Sequence, residues 1–239
     1  MPEIKLIFFD MDNVIFDMGF YEQRKEHSAS TWTLLYDYLN ARHEDDRMSK
    51  KWASGRYRDY SEWAGEAVKV LRNYGLNRER YYNFINKIPL MKGASETFEE
   101  LRKGGYKTAI ITGSFQELAE RAQKLLGIDH LITGCSLVFN QRGELEKPDI
   151  LPCDYGGKLN FGMSLAKGLG LDLDQCAFVF DGVNDLYLAD KVALPIPFNT
   201  NRKEITKKFD SVIKEKDLTK ILTVIKTYED TSSGQLSRS

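Results

Sequence analysis

Four aspartates follow two apolar segments of the sequence. Asp10 and Asp12 follow the run IKLIFF, and Asp181 and Asp185 follow the run CAFVF. If both segments are parallel strands of one sheet, the carboxylates meet at one edge and repel one another unless a cation is present. Oxygen ligands without His or Cys favour Mg²⁺, which typically binds one or two carboxylates, water and a substrate phosphate. The aspartates therefore predict a magnesium site.

Groups suited to phosphate follow a third apolar segment, YKTAIITGS, which ends in Thr112, Gly113 and Ser114. We expect the backbone N–H groups of Gly113 and Ser114 to lie at the start of the next helix, a position that binds anions. Lys158, at the head of a later helix, adds a positive charge. With Mg²⁺, these groups are typical of phosphoryl transfer, in which positioning and charge neutralisation dominate.

The paired acids Asp10 and Asp12 can divide the reaction between them. One carboxylate can attack phosphorus and form an aspartyl-phosphate. The other can protonate the leaving group and then deprotonate water. The chain turns near Asp12, so the two side chains can point in different directions.

Strand and helix patterns alternate along most of the chain, which indicates a doubly wound, Rossmann-like α/β sheet. A helical block over residues 17–88 interrupts this alternation after the first strand. An insertion at that point lies above the carboxyl ends of the strands, where open α/β sheets bind ligands. We therefore predict a core of residues 1–16 and 89–228, a helical cap of residues 17–88, and a disordered tail of residues 229–239.

Local patterns predict several element boundaries. Ser61 is a candidate N-cap for the helix SEWAGEAVKVLRNYG, and Gly75 is placed to end it. A hairpin is expected around Asn140–Gly143. The segments KVALPIPFN and DSVIK are expected to form short edge strands.

The composition excludes several classes of protein. The chain has 34 basic and 35 acidic residues and a net charge of −1, which argues against a general nucleic-acid binder. No apolar run approaches the roughly 18 residues of a membrane span, and the N-terminus does not look like a secretory signal. The 3 cysteines fit no disulfide framework. We expect a cytoplasmic protein with reduced thiols.

Four segments together resemble the motifs of the haloacid dehalogenase superfamily. They are FDMDNVIFD, ITGSF, Lys158 and FDGVNDL, in the family's order and spacing. The branch that the chain most resembles is the phosphoserine phosphatase group, and the likeness extends to about residue 226. The resemblance implies a helical cap of the C1 type, a small β-hairpin before Lys158, and Mg²⁺-dependent hydrolysis of a small phosphate monoester.

The resemblance also implies a role for each motif residue. Asp10 is expected to be the nucleophile, Asp12 the general acid and base, and Lys158 the cation that steadies both nucleophile and phosphate. The metal ligands are expected to be the Asp10 side chain, the Asp12 backbone carbonyl and Asp181. Asp185 is expected to support the metal-bound water or Lys158.

The expected phosphate-binding groups are Thr112, Gly113, Ser114 and Asn184. The junctions of the cap, near Asp17–Gly19 and Lys87–Lys92, are candidate hinges. Most cap aromatics are expected to be cap core, with one or two lining the substrate pocket; they are Trp32, Tyr36, Trp52, Tyr57, Tyr60 and Trp63.

The sequence departs from the phosphoserine phosphatase pattern where the amino acid would be recognised. Gly19 stands where the family usually has an acid for the substrate ammonium, and Asp17 and Glu22 lie nearby at other offsets. The region around Glu66 and Ala67 lacks the arginine that reads the substrate carboxylate. A phosphomonoesterase is therefore predicted whose preferred substrate need not be phosphoserine.

Smaller departures also occur within the motifs. Asn13 and Val14 stand where the family commonly has Ser or Thr followed by Thr, and Phe180 replaces a common Gly. The alternatives left open are a phosphomutase on the same fold and a non-catalytic phosphate-binding protein. We expect a monomer or homodimer that binds neither nucleic acid nor membrane.

Overall fold

The computed structural model describes residues 2–20, 29–154 and 156–236. Within them, one sheet has 6 strands in the order β4-β3-β2-β1-β5-β6. The strands are β1 Leu6–Phe9, β2 Lys107–Phe115, β3 His130–Phe139, β4 Leu145–Ile150, β5 Cys176–Phe180 and β6 Leu194–Pro197. All neighbouring pairs are parallel except β3 and β4, which form the expected hairpin. The predicted α/β fold is confirmed.

Helices cover both faces of this sheet. The helices outside the insertion are α5 Ala94–Lys103, α6 Gln116–Leu126, α7 Gly156–Gly168, α8 Leu186–Ala189, α9 Lys203–Thr206 and α10 Lys220–Leu236. Side chains alternate along β1: Ile7 and Phe9 pack in one apolar cluster, while Leu6 and Phe8 pack in the other. This alternation is the period-2 pattern of a strand buried on both sides.

In the described part of the chain between β1 and α5, four α-helices form what we call the helical insertion. They are α1 Thr31–Tyr38, α2 Arg42–Ala53, α3 Tyr60–Asn73 and α4 Arg78–Lys87. Side chains of Ser30, Asp59 and Asn77 cap α1, α3 and α4 by accepting backbone N–H groups. The prediction of Ser61 as the N-cap of α3 is wrong. The N-cap is Asp59, whose backbone is extended and whose carboxylate accepts the Glu62 N–H.

The insertion shares its apolar core with one face of the sheet. Trp32 and Leu71 belong to the same cluster as Phe9. The rings of Trp32 and Phe115, from α1 and β2, have centroids 4.4 Å apart. The insertion therefore packs directly against the carboxyl end of β2.

Strand β1 lies near the middle of the sheet, between β2 and β5. It pairs with β2 on one side and β5 on the other, with Phe9 opposite Ile110 and Val179. Because these three strands are parallel, their carboxyl ends lie at the same edge of the sheet. Asp10, Thr112 and Asp181 are therefore brought together by strand pairing, as the sequence predicted.

The structure corrects the position of Gly113 and Ser114. Their backbone N–H groups were expected at the start of the next helix, but both residues belong to β2, which continues through Phe115, and α6 begins at Gln116. Thr112 Oγ1 accepts a bond from the Ser114 backbone N–H over 3.1 Å. The pairing with β3 shifts register there and resumes at Phe115 and Cys135. This irregular strand end replaces the expected helix N-terminus.

The C-terminal segment also differs from expectation. Disorder was predicted from Glu229, but α10 continues to Leu236. The Thr227 and Thr231 hydroxyls donate to carbonyls one turn earlier, and adding a turn to an existing helix costs little. The predicted strand DSVIK is wrong: this segment forms only one isolated bridge, between Phe198 and Ile213.

The three cysteines, Cys135, Cys153 and Cys176, are buried and free of disulfides, as predicted. Within the part of the chain that the structure describes, no helix combines the length and apolarity needed to cross a bilayer.

Candidate active site

Lys158 is completely buried in the first turn of α7 and contacts two carboxylates. Its Nζ donates to Asp10 Oδ1 over 2.7 Å and to Asp185 Oδ1 over 2.5 Å. Burial alone would lower the pKa of Lys158, but Asp10 and Asp185 raise it well above its usual value, so the ammonium stays charged. Gly157 is needed beside it, because a Cβ there would lie 2.0 Å from the Pro152 carbonyl oxygen.

Three buried carboxylates form a candidate cation site. Oxygens of Asp10, Asp181 and Asp185 all lie within 4.8 Å of one another. Burial, with the charges of Asp10 and Asp185, raises the pKa of Asp181 well above its ordinary value. A divalent cation would remove this repulsion, so an all-oxygen site of this kind fits Mg²⁺.

Asp185 belongs to this cluster, and both of its carboxylate oxygens accept hydrogen bonds from other groups of the protein. Its Oδ2 accepts the Gly182 backbone N–H over 2.9 Å, while Oδ1 accepts the bond from Lys158. Both oxygens are therefore used within the protein. That geometry suits a residue that orients Lys158 beside the cation site.

Asp12 points away from the cluster and is bound by Thr31. The Thr31 hydroxyl donates to Asp12 Oδ1 over 2.5 Å, and its backbone N–H donates to Oδ2 over 2.7 Å. Burial raises the pKa of Asp12 to about 7, against the lowering effect of these two bonds. A carboxyl group that titrates near neutral pH can donate and accept a proton in one cycle.

Thr31 is a site residue that sequence reasoning missed. It is the first residue of α1, after the N-cap Ser30, so its backbone N–H is not used within the helix. The pair Ser30–Thr31 before an apolar stretch could have indicated a helix start. Nothing in the sequence indicated that this start faces Asp12.

Asn13, which departs from the usual family motif, links Asp181 to the residues around the site. Its φ of 61° lies in the left-handed region, which Asn tolerates better than most residues. The Asn13 amide donates to the Ala29 carbonyl over 3.0 Å and to Asp181 Oδ2 over 3.3 Å. Asn199 in turn donates to the Asn13 carbonyl over 3.1 Å. Asn13 therefore helps to hold Asp181.

The predicted phosphate-binding residues line one cavity of about 220 Å³ together with Asp10, Asp12 and Lys158. Those residues are Thr112, Gly113, Ser114 and Asn184. The Ser114 hydroxyl is buried and has no hydrogen-bond partner among the described residues. Such a group costs about 1–3 kcal/mol, which a bound phosphate oxygen would offset.

The same cavity includes two residues that the sequence did not single out, Asp154 and Arg202, together with the cap aromatic Tyr60. Asp154 accepts a bond from the Asn184 amide over 2.9 Å. Gly113 must lack a side chain, because a Cβ would lie 2.2 Å from Asp154 Oδ2. The Tyr60 hydroxyl donates to the Gly113 carbonyl over 3.2 Å and joins α3 to β2.

The positions that would recognise an amino acid are used otherwise. Asp17 accepts the Lys216 ammonium over 2.8 Å, and the space beside Gly19 is filled by the same lysine. Glu66 accepts bonds from Arg47 and Lys51. None of these five charged groups is among the described residues that line the cavity. Glu22 lies outside the described residues.

Comparisons with known proteins agree with this geometry. Residues 4–189 match the family model of the haloacid dehalogenase-like hydrolases. The chain is 25% identical to phosphoserine phosphatase of Methanocaldococcus jannaschii, over 93% of this chain and 98% of that protein. It is also 25% identical to phosphoserine phosphatase of Archaeoglobus fulgidus over 94% of this chain, but it spans only 60% of that relative's length.

A solved structure of phosphoserine phosphatase in its apo form has the same fold. The TM-score is 0.75 at 23% identity, over 92% of this chain and 98% of the other. The predicted resemblance to this branch is confirmed.

Proposed function

Because the chain belongs to the haloacid dehalogenase-like hydrolase family, we propose that it is a Mg²⁺-dependent phosphatase for a small phosphate monoester. The observation that carries the proposal is the different environment of two aspartates two residues apart. Asp10 lies against the ammonium of buried Lys158, while burial raises the pKa of Asp12 to about 7. Two neighbouring carboxyl groups in environments as different as these are typical of a nucleophile and a general acid.

In the proposed reaction, an Asp10 oxygen attacks phosphorus and the ester P–O bond breaks. The leaving oxygen takes the proton from Asp12, which releases the alcohol and leaves a phosphoryl group on Asp10. Asp12, now a carboxylate, accepts a proton from water as the water oxygen attacks phosphorus. Inorganic phosphate leaves, and both aspartates return to their starting states.

Neighbouring groups bind the charge that moves during these steps. Lys158 contacts Asp10 and stands beside the site of attack. Thr112, Gly113, Ser114 and Asn184 are proposed to bind the phosphate oxygens, which agrees with their shared cavity. The side chains of Asp10 and Asp181 and the Asp12 carbonyl would hold Mg²⁺, which supplies charge neutralisation when bound.

We further propose that the helical insertion acts as a cap with hinges at its two connections. Those connections pair with each other: the Met91 N–H donates to the Ile15 carbonyl over 2.8 Å, and the Asp17 N–H donates to the Pro89 carbonyl over 3.0 Å. Hydrogen bonds from Thr31 to Asp12 and from Tyr60 to Gly113 join the insertion to the site. These bonds can break when the cap opens and reform when it closes.

Asp10→Asn tests the proposed nucleophile. Phosphate release in the presence of Mg²⁺ should fall by about 10⁴-fold or more, because an amide cannot form the aspartyl-phosphate. Acid quenching during turnover of a radiolabelled phosphate ester should trap label on the unsubstituted protein and none on the variant.

Asp149→Asn is the matched control, since Asp149 is exposed and lies outside the site cavity. It should retain activity. Turnover at the original rate by Asp10→Asn would refute the proposed mechanism.

A further inference from the structure

A second cavity, of about 380 Å³, adjoins the candidate phosphate site. The two cavities share Tyr60, Gly113 and Asp154. The other lining residues of the second cavity are Ser49, Trp52, Trp63, Pro152 and Cys153. A phosphate ester bound beside Asp10 would therefore extend its alcohol portion past Tyr60 and Gly113 into this space.

The wall of the second cavity is mainly apolar and aromatic. Trp52 and Trp63 come from α2 and α3, while Pro152 and Cys153 come from the segment between β4 and α7. Trp52 remains 41% exposed, although a large indole ring gains free energy when it is covered. Cavities of this size and lining are typical of sites for apolar or aromatic ligands.

Several charged groups of the helical insertion form ion pairs with one another. Glu66 accepts from Arg47 over 2.7 Å and from Lys51 over 2.5 Å. Arg58 donates to Glu62. Asp154 is the one charged residue of the described lining, and it lies at the phosphate end, bonded to Asn184. Among the described residues that line the second cavity, no cation is available to pair with an amino acid's carboxylate.

The ring geometry also argues against a compact quaternary ammonium group. Tyr60 and Trp63 stack on each other with centroids 5.2 Å apart and an interplanar angle of 29°. Trp32 packs against Trp63 edge-on at 4.8 Å. A cage for a cation needs ring faces that converge from several sides. The faces of these rings instead pack against neighbouring rings and do not converge on a common point.

We propose that the alcohol portion of the substrate is a flat, uncharged aromatic or similarly bulky apolar group, which binds against Trp52, Tyr60 and Trp63. This inference rests on the proposed function and names its substrate class. It also accounts for the replacement of the amino-acid recognition groups, since an uncharged leaving group needs neither an acid near Gly19 nor an arginine near Glu66.

The test compares kcat/KM with Mg²⁺ for 2-naphthylmethyl phosphate, glycerol phosphate, phosphoserine and phosphocholine. All four are alkyl esters, so the basicity of the leaving oxygen is similar. The naphthylmethyl ester should be preferred over each of the others by about tenfold or more, because only it buries apolar area against the wall.

Trp52→Ala and Trp63→Leu assign the preference to the cavity. Each should lower the ratio of kcat/KM for 2-naphthylmethyl phosphate to that for acetyl phosphate by about tenfold. Acetyl phosphate has a small leaving group that does not reach the cavity. Trp52 is partly exposed, so its substitution tests the proposal without removing a core side chain.

Tyr82→Ala is the matched control. Tyr82 is also an aromatic residue of the helical insertion, is 45% exposed, and lies outside the cavity lining. It should leave the ratio unchanged. A ratio that stays constant in both tryptophan variants, or falls equally in the control, overturns the inference.

Acetyl phosphate separates failure of the inference from failure of the proposed function. If it is hydrolysed but phosphoserine, phosphocholine or glycerol phosphate is preferred over the naphthylmethyl ester, the phosphatase function stands and the substrate class is wrong. If no phosphate is released from any of the five compounds, both proposals are wrong.

Discussion

At the scale of single residues, the site is built on charges that are largely removed from water. Lys158 is enclosed by Asp10 and Asp185, and each of the three is buried. Taking such ions out of water costs several kcal/mol, which only good geometry offsets. The loss of one partner should therefore affect stability as well as catalysis.

Lys158→Met should lower the free energy of unfolding by about 3–5 kcal/mol, because it leaves two buried carboxylates without a cation. Adding Asp185→Asn to that variant should restore part of the loss. Denaturant unfolding at neutral pH in EDTA measures both effects. Lys167→Met, an exposed position on the same helix, is the control and should change stability by less than about 0.5 kcal/mol.

Thr31→Val should reduce kcat/KM by about tenfold or more, because Asp12 loses the hydroxyl donor that orients it for proton transfer. Valine has nearly the same shape, so thermal unfolding should change little. Thr31→Ser keeps the hydroxyl and should retain most of the activity. If the valine and serine variants are equally active, the bond to Asp12 has no catalytic role.

The residue types and the order of the motifs were sufficient to predict that Asp10, Thr112, Lys158 and Asp181 share a site. Asp10 and Asp181 follow buried strands, Thr112 lies near the end of another, and Lys158 lies in the first turn of a helix. Strand pairing brings the strand ends together. Thr31 could not be predicted in the same way. Its contact with Asp12 depends on how α1 packs against the sheet edge, which no local pattern records.

At the scale of elements, the helical insertion is stabilised by an ion-pair network as well as by its apolar core. Glu66 on α3 accepts bonds from Arg47 and Lys51, both on α2. The bond from Lys51, with that from Arg47, lowers the pKa of Glu66 to about 2. Folding therefore favours the ionised carboxylate and gains stability from it.

This stability should be complete above about pH 4.5 and should be lost as the pH falls towards 2, because protonation breaks both ion pairs. Glu66→Gln should destabilise the protein by about 1 kcal/mol at pH 7 and by progressively less at lower pH. Thermal unfolding between pH 7 and pH 2.5 measures the difference. Glu99→Gln, an exposed i, i+4 pair with Lys103, is the control and should show a smaller difference at every pH.

Elements with strong local signals were predicted well, and those that depend on distant contacts were not. The buried runs gave β1, β2 and β5, and Gly75 ends α3 with a positive φ as expected. The end of β2 was predicted to within one residue, but the register shift that leaves Gly113 and Ser114 in the strand was not, because it depends on pairing with β3. The capping role of Asp59 was missed because Ser61 is an equally good N-cap residue by type.

At the scale of the whole molecule, the sheet concentrates negative charge at its centre. β1 lies between β2 and β5, so Asp10 and Asp181 leave adjacent strands beside each other. The fold is therefore destabilised at this edge unless a cation binds. Stability and metal binding should be linked.

Mg²⁺ at about 100 times its Kd should stabilise the folded protein by about 2.7 kcal/mol, or about 5–10 °C in Tm. Asp181→Asn should raise the Tm measured in EDTA, because the folded state then contains one fewer buried carboxylate, and should abolish most of the response to Mg²⁺. Differential scanning fluorimetry with and without Mg²⁺ tests both statements. Asp149→Asn, an exposed substitution, should retain the full response.

The bond from Thr31 to Asp12 has a consequence for the lifetime of the phosphorylated enzyme. Thr31 belongs to the helical insertion and Asp12 to the loop after β1. If the insertion moves away while Asp10 carries the phosphoryl group, Asp12 loses both donors and no longer has a fixed orientation towards water. Dephosphorylation would then be slow in the open form, so the covalent intermediate would persist until the insertion returned.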